Sequence, residues 1–105
     1  MIKINGETWR IFLVSPNHPI LYSNGIYTLG ACDNATHSIY INENLNSRKM
    51  KKVLCHEITH AAMFSYDVEL TLEQEELLAD LLATYGQEII DITNEIFTKL
   101  KRNIY

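Results

Sequence analysis

Val53-Leu54-Cys55-His56-Glu57-Ile58-Thr59-His60-Ala61 places two histidines four residues apart, with a glutamate directly after the first. On a helix, residues four apart share a face, so His56 and His60 can both turn a ring nitrogen toward one metal ion. Glu57 sits about 100° further round, where it reaches a metal-bound water rather than the metal itself. Two neutral imidazoles and one carboxylate hold a zinc ion while leaving a fourth position for that water, whose pKa falls toward neutrality. A neighbouring carboxylate can take its proton and hand it to a leaving amine. The stretch therefore reads as the centre of a zinc-dependent hydrolase, with His56 and His60 as ligands and Glu57 as the catalytic base.

Exposed helices also carry His and Glu incidentally, so the flanks matter. Val53, Leu54, Ile58, Ala61 and Ala62 form an apolar stripe at spacings of three and four, which packs the motif against a core. A third ligand is offered downstream. Thr71-Leu72-Glu73-Gln74 reads as a capping box that starts a second helix. In that helix Glu76 and Asp80 are four apart, with small Ala79 and Ala83 beside them. A short reversal between the helices would lay this face across the histidines. Glu76 could then complete the metal site, and Asp80 could accept a hydrogen bond from the free N–H of a ligating imidazole. Glu73 and Glu75 read more simply as acids favoured by a helix N-terminus, although Glu75 remains the alternative third ligand to Glu76.

His-Glu-x-x-His followed by Glu76-x-x-Ala79-Asp80-x-Leu82-Ala83 resembles the ImmA/IrrE family of zinc metallopeptidases, and its Glu-x-x-x-Asp spacing is similar to that of the thermolysin-like gluzincins. The resemblance covers about residues 53–86. It implies one zinc ion per chain on His56, His60 and Glu76, with Glu57 as general base and Asp80 supporting a ligating histidine. The chain departs from longer members in the short interval between His60 and Glu76, in Leu82 where Phe is frequent, and in lacking an appended helix-turn-helix. In size it is similar to minimal, phage-encoded members.

At 105 residues with 47% hydrophobic content, the chain can bury one core but not two, so residues 1–105 are expected to form one domain. No run is long and apolar enough to span a bilayer, and no signal-peptide pattern opens the chain. Cys32 and Cys55 form no disulfide framework. These features point to the cytoplasm. Cys55 reads as a small apolar residue rather than a ligand. A net charge of −4 disfavours nonspecific nucleic-acid binding. The only basic cluster is Arg48-Lys49-Met50-Lys51-Lys52. It reads either as the solvated start of the active helix or as a recruiting patch for an acidic substrate segment.

The first 45 residues read as β-structure. Ile2 to Ile4 and Thr8 to Val14 flank Asn5-Gly6, a type I′ hairpin signal. A short helical or irregular piece follows before Asn24-Gly25, and strands are expected at Tyr27–Cys32 and Ser38–Asn42. The first of these is the expected edge, open to an extended peptide. His37 reads as an exposed turn residue, and Tyr66 and Tyr85 as packing. The active helix is expected over Ser47–Ser65 and the second from Leu72 toward Lys101, with Gly86 a possible kink. Apolar residues at 78, 81, 82, 85, 89, 92, 96 and 100 are expected to face the core.

The expected fold is thus α+β: a small antiparallel or mixed sheet packed on a His-Glu-x-x-His helix and a long C-terminal helix, a zincin-like arrangement of gluzincin type. The expected activity is zinc-dependent hydrolysis of a protein or peptide substrate. By resemblance, that substrate could be a transcription repressor. The alternative is a zinc-binding protein that sequesters a transcription regulator without cutting it. Neither nucleic acid nor membrane is expected as a partner, and the oligomeric state is left open.

Overall fold

The computed structural model describes residues 1–104, with side chains through Arg102. Asn5 and Gly6 both take positive φ, as a type I′ turn demands, and join β1 (Ile2–Ile4) to β2 (Glu7–Val14). A single 3-10 turn at Pro19–Leu21 leads to β3 (Tyr22–Ser23), β4 (Ile26–Tyr27), β5 (Gly30–Asp33) and β6 (Ser38–Asn42). β1, β2, β6 and β5 lie side by side in that order. β2 and β6 run parallel and the other pairs antiparallel, so the sheet is mixed. The helices are α1 (Ser47–Ser65) and α2 (Leu72–Ile104). The α+β expectation holds, with the His-Glu-x-x-His segment on α1.

One face of the sheet is apolar by strict alternation, and α1 lies across it. Trp9, Ile39, Ile41 and Ala61 form the buried centre, with Ile11, Val53, Leu54 and Ile58 packed around them. Trp9 is fully buried, so its indole N–H needs a partner. It donates to Ser65 Oγ at 2.7 Å, and Asn5 Nδ2 donates to the Ser65 carbonyl at 2.9 Å. The end of α1 is thereby pinned to the first hairpin. The start of α1 is capped by Asn46, whose side chain accepts from the Lys49 N–H at 2.9 Å.

The expected strand Tyr27–Cys32 is two strands. Asn24 and Gly25 form a second turn with positive φ, and β3 and β4 pair across it as a separate two-stranded hairpin. The chain then bends through Thr28 and Leu29 before β5 joins the main sheet. β5 is the edge beside α1, as expected, and it comes very close. A Cβ on Gly30 would stand 2.8 Å from Val53 Cγ1 and 3.0 Å from Glu57 Cγ. Only glycine permits that approach.

α2 departs from expectation in two respects. It is one continuous helix through Gly86, and only its first turns pack on the body. The residues at 78, 81, 82, 85, 89, 92, 96 and 100 are each 38–56% exposed rather than turned into the core. For the distal positions, 89 to 100, the reason is length. A helix of 33 residues runs about 50 Å, far beyond the 19-residue α1 that it packs against. The radius of gyration, 16.3 Å, exceeds the roughly 13 Å of a compact chain this size because the distal half of α2 projects outward.

Two outcomes follow for equilibrium denaturation. Gly30→Ala should cost about 1–3 kcal/mol through overpacking between β5 and α1. Ile92→Gln with Ile96→Gln should change stability by no more than about 0.5 kcal/mol each, because neither side chain is buried in the fold described. A large loss in the second case would show that these side chains are covered in solution.

Candidate metal centre

The turn after α1 sends α2 back along it. Tyr66 N–H closes on the Ala62 carbonyl, Asp67 takes φ 51°, and Thr71 opens α2. The expected capping box forms in both directions. Gln74 N–H donates to Thr71 Oγ1, and Thr71 N–H donates to Gln74 Oε1, each at 3.1 Å. Fully buried Ala79 provides the close helix contact. The antiparallel course then sets Glu75 against His60 and Asp80 against His56, one helical turn apart.

Three donor groups converge on one point. His56 Nε2 and His60 Nε2 are 3.1 Å apart. Glu76 brings Oε2 to 3.2 Å from His56 Nε2 and Oε1 to 2.9 Å from His60 Nε2. Tetrahedral ligands at about 2.0–2.1 Å from a zinc ion stand roughly 3.3 Å from one another, so the spacing fits a small divalent cation. The donor chemistry fits as well. Two imidazole nitrogens cannot aim lone pairs at each other at this distance without a cation or proton between them.

The opposite ring nitrogens fix which face of each ring points inward. His56 Nδ1 lies 3.0 Å from Asp80 Oδ1, and His60 Nδ1 lies 2.6 Å from Glu75 Oε1. Each Nδ1–H can donate to a carboxylate, leaving each Nε2 as an acceptor toward the centre. The Asp80 contact is the one expected from sequence. Glu75, the alternative third ligand, turns its carboxylate to the outer nitrogen of His60 rather than to the convergence point, and it is more than a helix-terminal acid, because its side chain is only 16% exposed. That role was missed. The available signal was the pairing of two supporting acids with two histidines, at spacings of five residues in α2 and four in α1.

Glu57 is buried under β5, with a ligand atom inside a cluster that includes His56 and His60 and spans at most 4.8 Å. Burial pushes its carboxyl above the ordinary glutamate value, the nearby His56 and His60 pull it down, and Glu76 pushes it up again. Cys32, on β5 beside this cluster, has its thiol pushed up to about 12 by burial, then by Glu57, Asp33 and Glu75. It stays protonated and uncharged at neutral pH.

Other residues considered from sequence lie outside the cluster. His37 stacks on Trp9 with ring centroids 4.4 Å apart, so it packs rather than standing free in its turn. Tyr66 and Tyr85 are both more than half exposed, which removes the packing role expected of them. Cys55 is half-buried on the wall of the cleft between the helices. Among the described residues, no helix is long and apolar enough to cross a membrane.

The family model of peptidase family M78, described as the IrrE N-terminal-like domain, matches residues 18–97. No curated protein and no solved structure matches the chain.

The raised Glu57 carboxyl has a measurable sign in metal-free protein. Its folded pKa lies above the ordinary 4.5, so its protonated form favours the fold and that contribution is lost as pH rises through the folded pKa. Thermal midpoints of metal-free wild type and Glu57→Gln should therefore diverge with rising pH, the variant becoming the more stable. A constant difference from pH 4 to pH 8 would contradict the assignment.

Proposed function

This chain belongs to the IrrE N-terminal-like family of peptidases, and we propose that it hydrolyses peptide bonds with one zinc ion held by His56, His60 and Glu76. The observation that carries the reading is the convergence of these three groups at 2.9–3.2 Å while the far nitrogen of each ring rests on a carboxylate. Bound there, zinc would polarise the scissile carbonyl and acidify a water.

The protein's own groups do the rest. Asp80 and Glu75 hold His56 and His60 in the tautomer that presents Nε2. Glu57 takes a proton from the attacking water and delivers it to the departing amine nitrogen, a role helped by burial, which raises its carboxyl above the ordinary glutamate value. β5, an edge strand passing directly over Glu57, offers its free backbone groups to an extended substrate. Its glycine at the crossing point keeps that strand low enough to bring a paired peptide to the metal. The substrate class we favour is a regulatory protein such as a transcription repressor, met in the cytoplasm, where Cys32 and Cys55 persist as free thiols.

Mass spectrometry of protein purified without added metal should find one zinc per wild-type chain and a marked loss in Glu76→Ala. Asp80→Ala should weaken zinc binding by about 10–100-fold. Glu57→Gln should keep zinc and lower kcat/KM by about 10²–10⁴-fold. Retention of full biological effect by Glu57→Gln would instead support sequestration of a regulator without cleavage.

A further inference from the structure

Two cavities adjoin between the metal centre and the start of α1. One, of about 410 Å³, is bounded by the Thr28–Gly30 segment, His56, Glu57 and Lys49. The other, of about 560 Å³, lies between the start of α1 and the middle of α2, bounded by Arg48, Lys51, Leu82 and Ile90. Lys52 and Ala83 line both, so the two cavities share a border, and the cleft they make together extends from the metal centre toward the N-terminal end of α1.

The charge along this cleft has no internal explanation. Arg48, Lys49, Lys51 and Lys52 are four of the nine basic residues in a chain of net charge −4. None lies within ion-pair distance of a carboxylate among the described residues. They occupy the first turns of α1, the end of a helix that disfavours cations. The acids that line the cleft are Asp80, engaged with His56 at 3.0 Å, and Glu57, buried beside both histidines. On the opposite wall Leu82 and Ile90 are 38% and 56% exposed, forming an apolar surface facing the cations.

We propose that this cleft binds an acidic segment of the substrate, carboxylates on the α1 lysines and arginine and apolar side chains on Leu82 and Ile90. The inference rests on the peptidase reading and specifies its substrate class. From Glu57 to Arg48 the helix rises about 13 Å, the reach of roughly four extended residues, so the acidic positions fall within about four residues of the scissile bond. Lys49 and Lys52 line the cavity at the metal centre, and Arg48, Lys51 and Lys52 the outer one.

The test uses the full chain, loaded with zinc, in two forms. Glu57→Gln is titrated with a fluorescein-labelled peptide of alternating Glu and Leu, and with its Lys and Leu counterpart, at low and high salt. Wild type is incubated with a mixed peptide library and its cleavage sites are read by mass spectrometry. The acidic peptide should bind at least tenfold tighter, salt should weaken it, and cleavage sites should be enriched in Asp and Glu on one side. Arg48→Glu with Lys51→Glu, and separately Lys49→Glu with Lys52→Glu, should remove the preference by about tenfold. Lys99→Glu with Lys101→Glu, on distal α2, should not.

Equal binding of the two peptides would overturn the proposal. So would an equal loss from the distal variant, which would reduce the effect to net charge. Cleavage without acidic enrichment would also overturn it while leaving the peptidase reading intact. If wild type cuts nothing yet the acidic peptide binds with the expected charge dependence, the docking cleft stands and hydrolysis falls. Unchanged melting curves for the charge variants establish that a lost preference is not lost folding.

Discussion

A buried glutamate beside two histidines is the constraint on which the rest of this structure depends. A carboxylate and two imidazoles enclosed beneath a sheet are costly unless their charges and protons find partners. Every major packing feature bears on that requirement. Gly30 lets β5 close over Glu57, Ala79 lets α2 lie against α1, and the antiparallel return delivers three further carboxylates to the histidines. A cation at the convergence point would complete the balance, set by two neutral rings and the inward carboxylates. The core of Trp9, Ile39, Ile41 and Ala61 holds the sheet and α1 in register so that this closure is possible.

Much of this was legible from residue spacing alone. The four-residue interval between His56 and His60, the Thr71–Gln74 capping box and the Asn5-Gly6 turn are local signals whose geometry follows from a single helix or hairpin. Asp80 was legible for the same reason, since it lies one helical turn from Glu76. What was not legible depended on contacts between elements. The split of Tyr27–Cys32 follows from the β3–β4 hairpin, which an Asn24-Gly25 signal marks but whose two-residue strands are too short to show a period. Glu75 looked like an ordinary acid in the first turn of α2, and only the depth at which α2 crosses α1 reveals its engagement with His60.

The distal half of α2 shows a further limit of periodicity. A regular apolar stripe states that one face of a helix disfavours water, not that a core is within reach. Here the helix outruns the body, and the stripe continues along solvent-facing turns. Gly86 did not break the helix because its neighbours hold helical geometry on either side and nothing in the surrounding packing demands a bend there. An exposed apolar face of this extent exceeds scattered surface hydrophobics and is a property of the chain in its own right.

The polar residues divide by distance from the metal centre in a way that composition conceals. Net charge of −4 describes an acidic protein, yet the acids nearest the centre are hydrogen-bonded to histidines, while among the described residues no carboxylate lies within ion-pair distance of the α1 cations. An approaching peptide would meet a positive approach and an internally balanced centre rather than a uniformly negative surface. Local field, not overall charge, governs how a charged chain is steered to a surface. The helix that begins as a lysine-rich surface reaches, two turns later, the half-buried His56 and the buried His60. One continuous helix therefore connects the proposed docking cleft to the proposed catalytic glutamate.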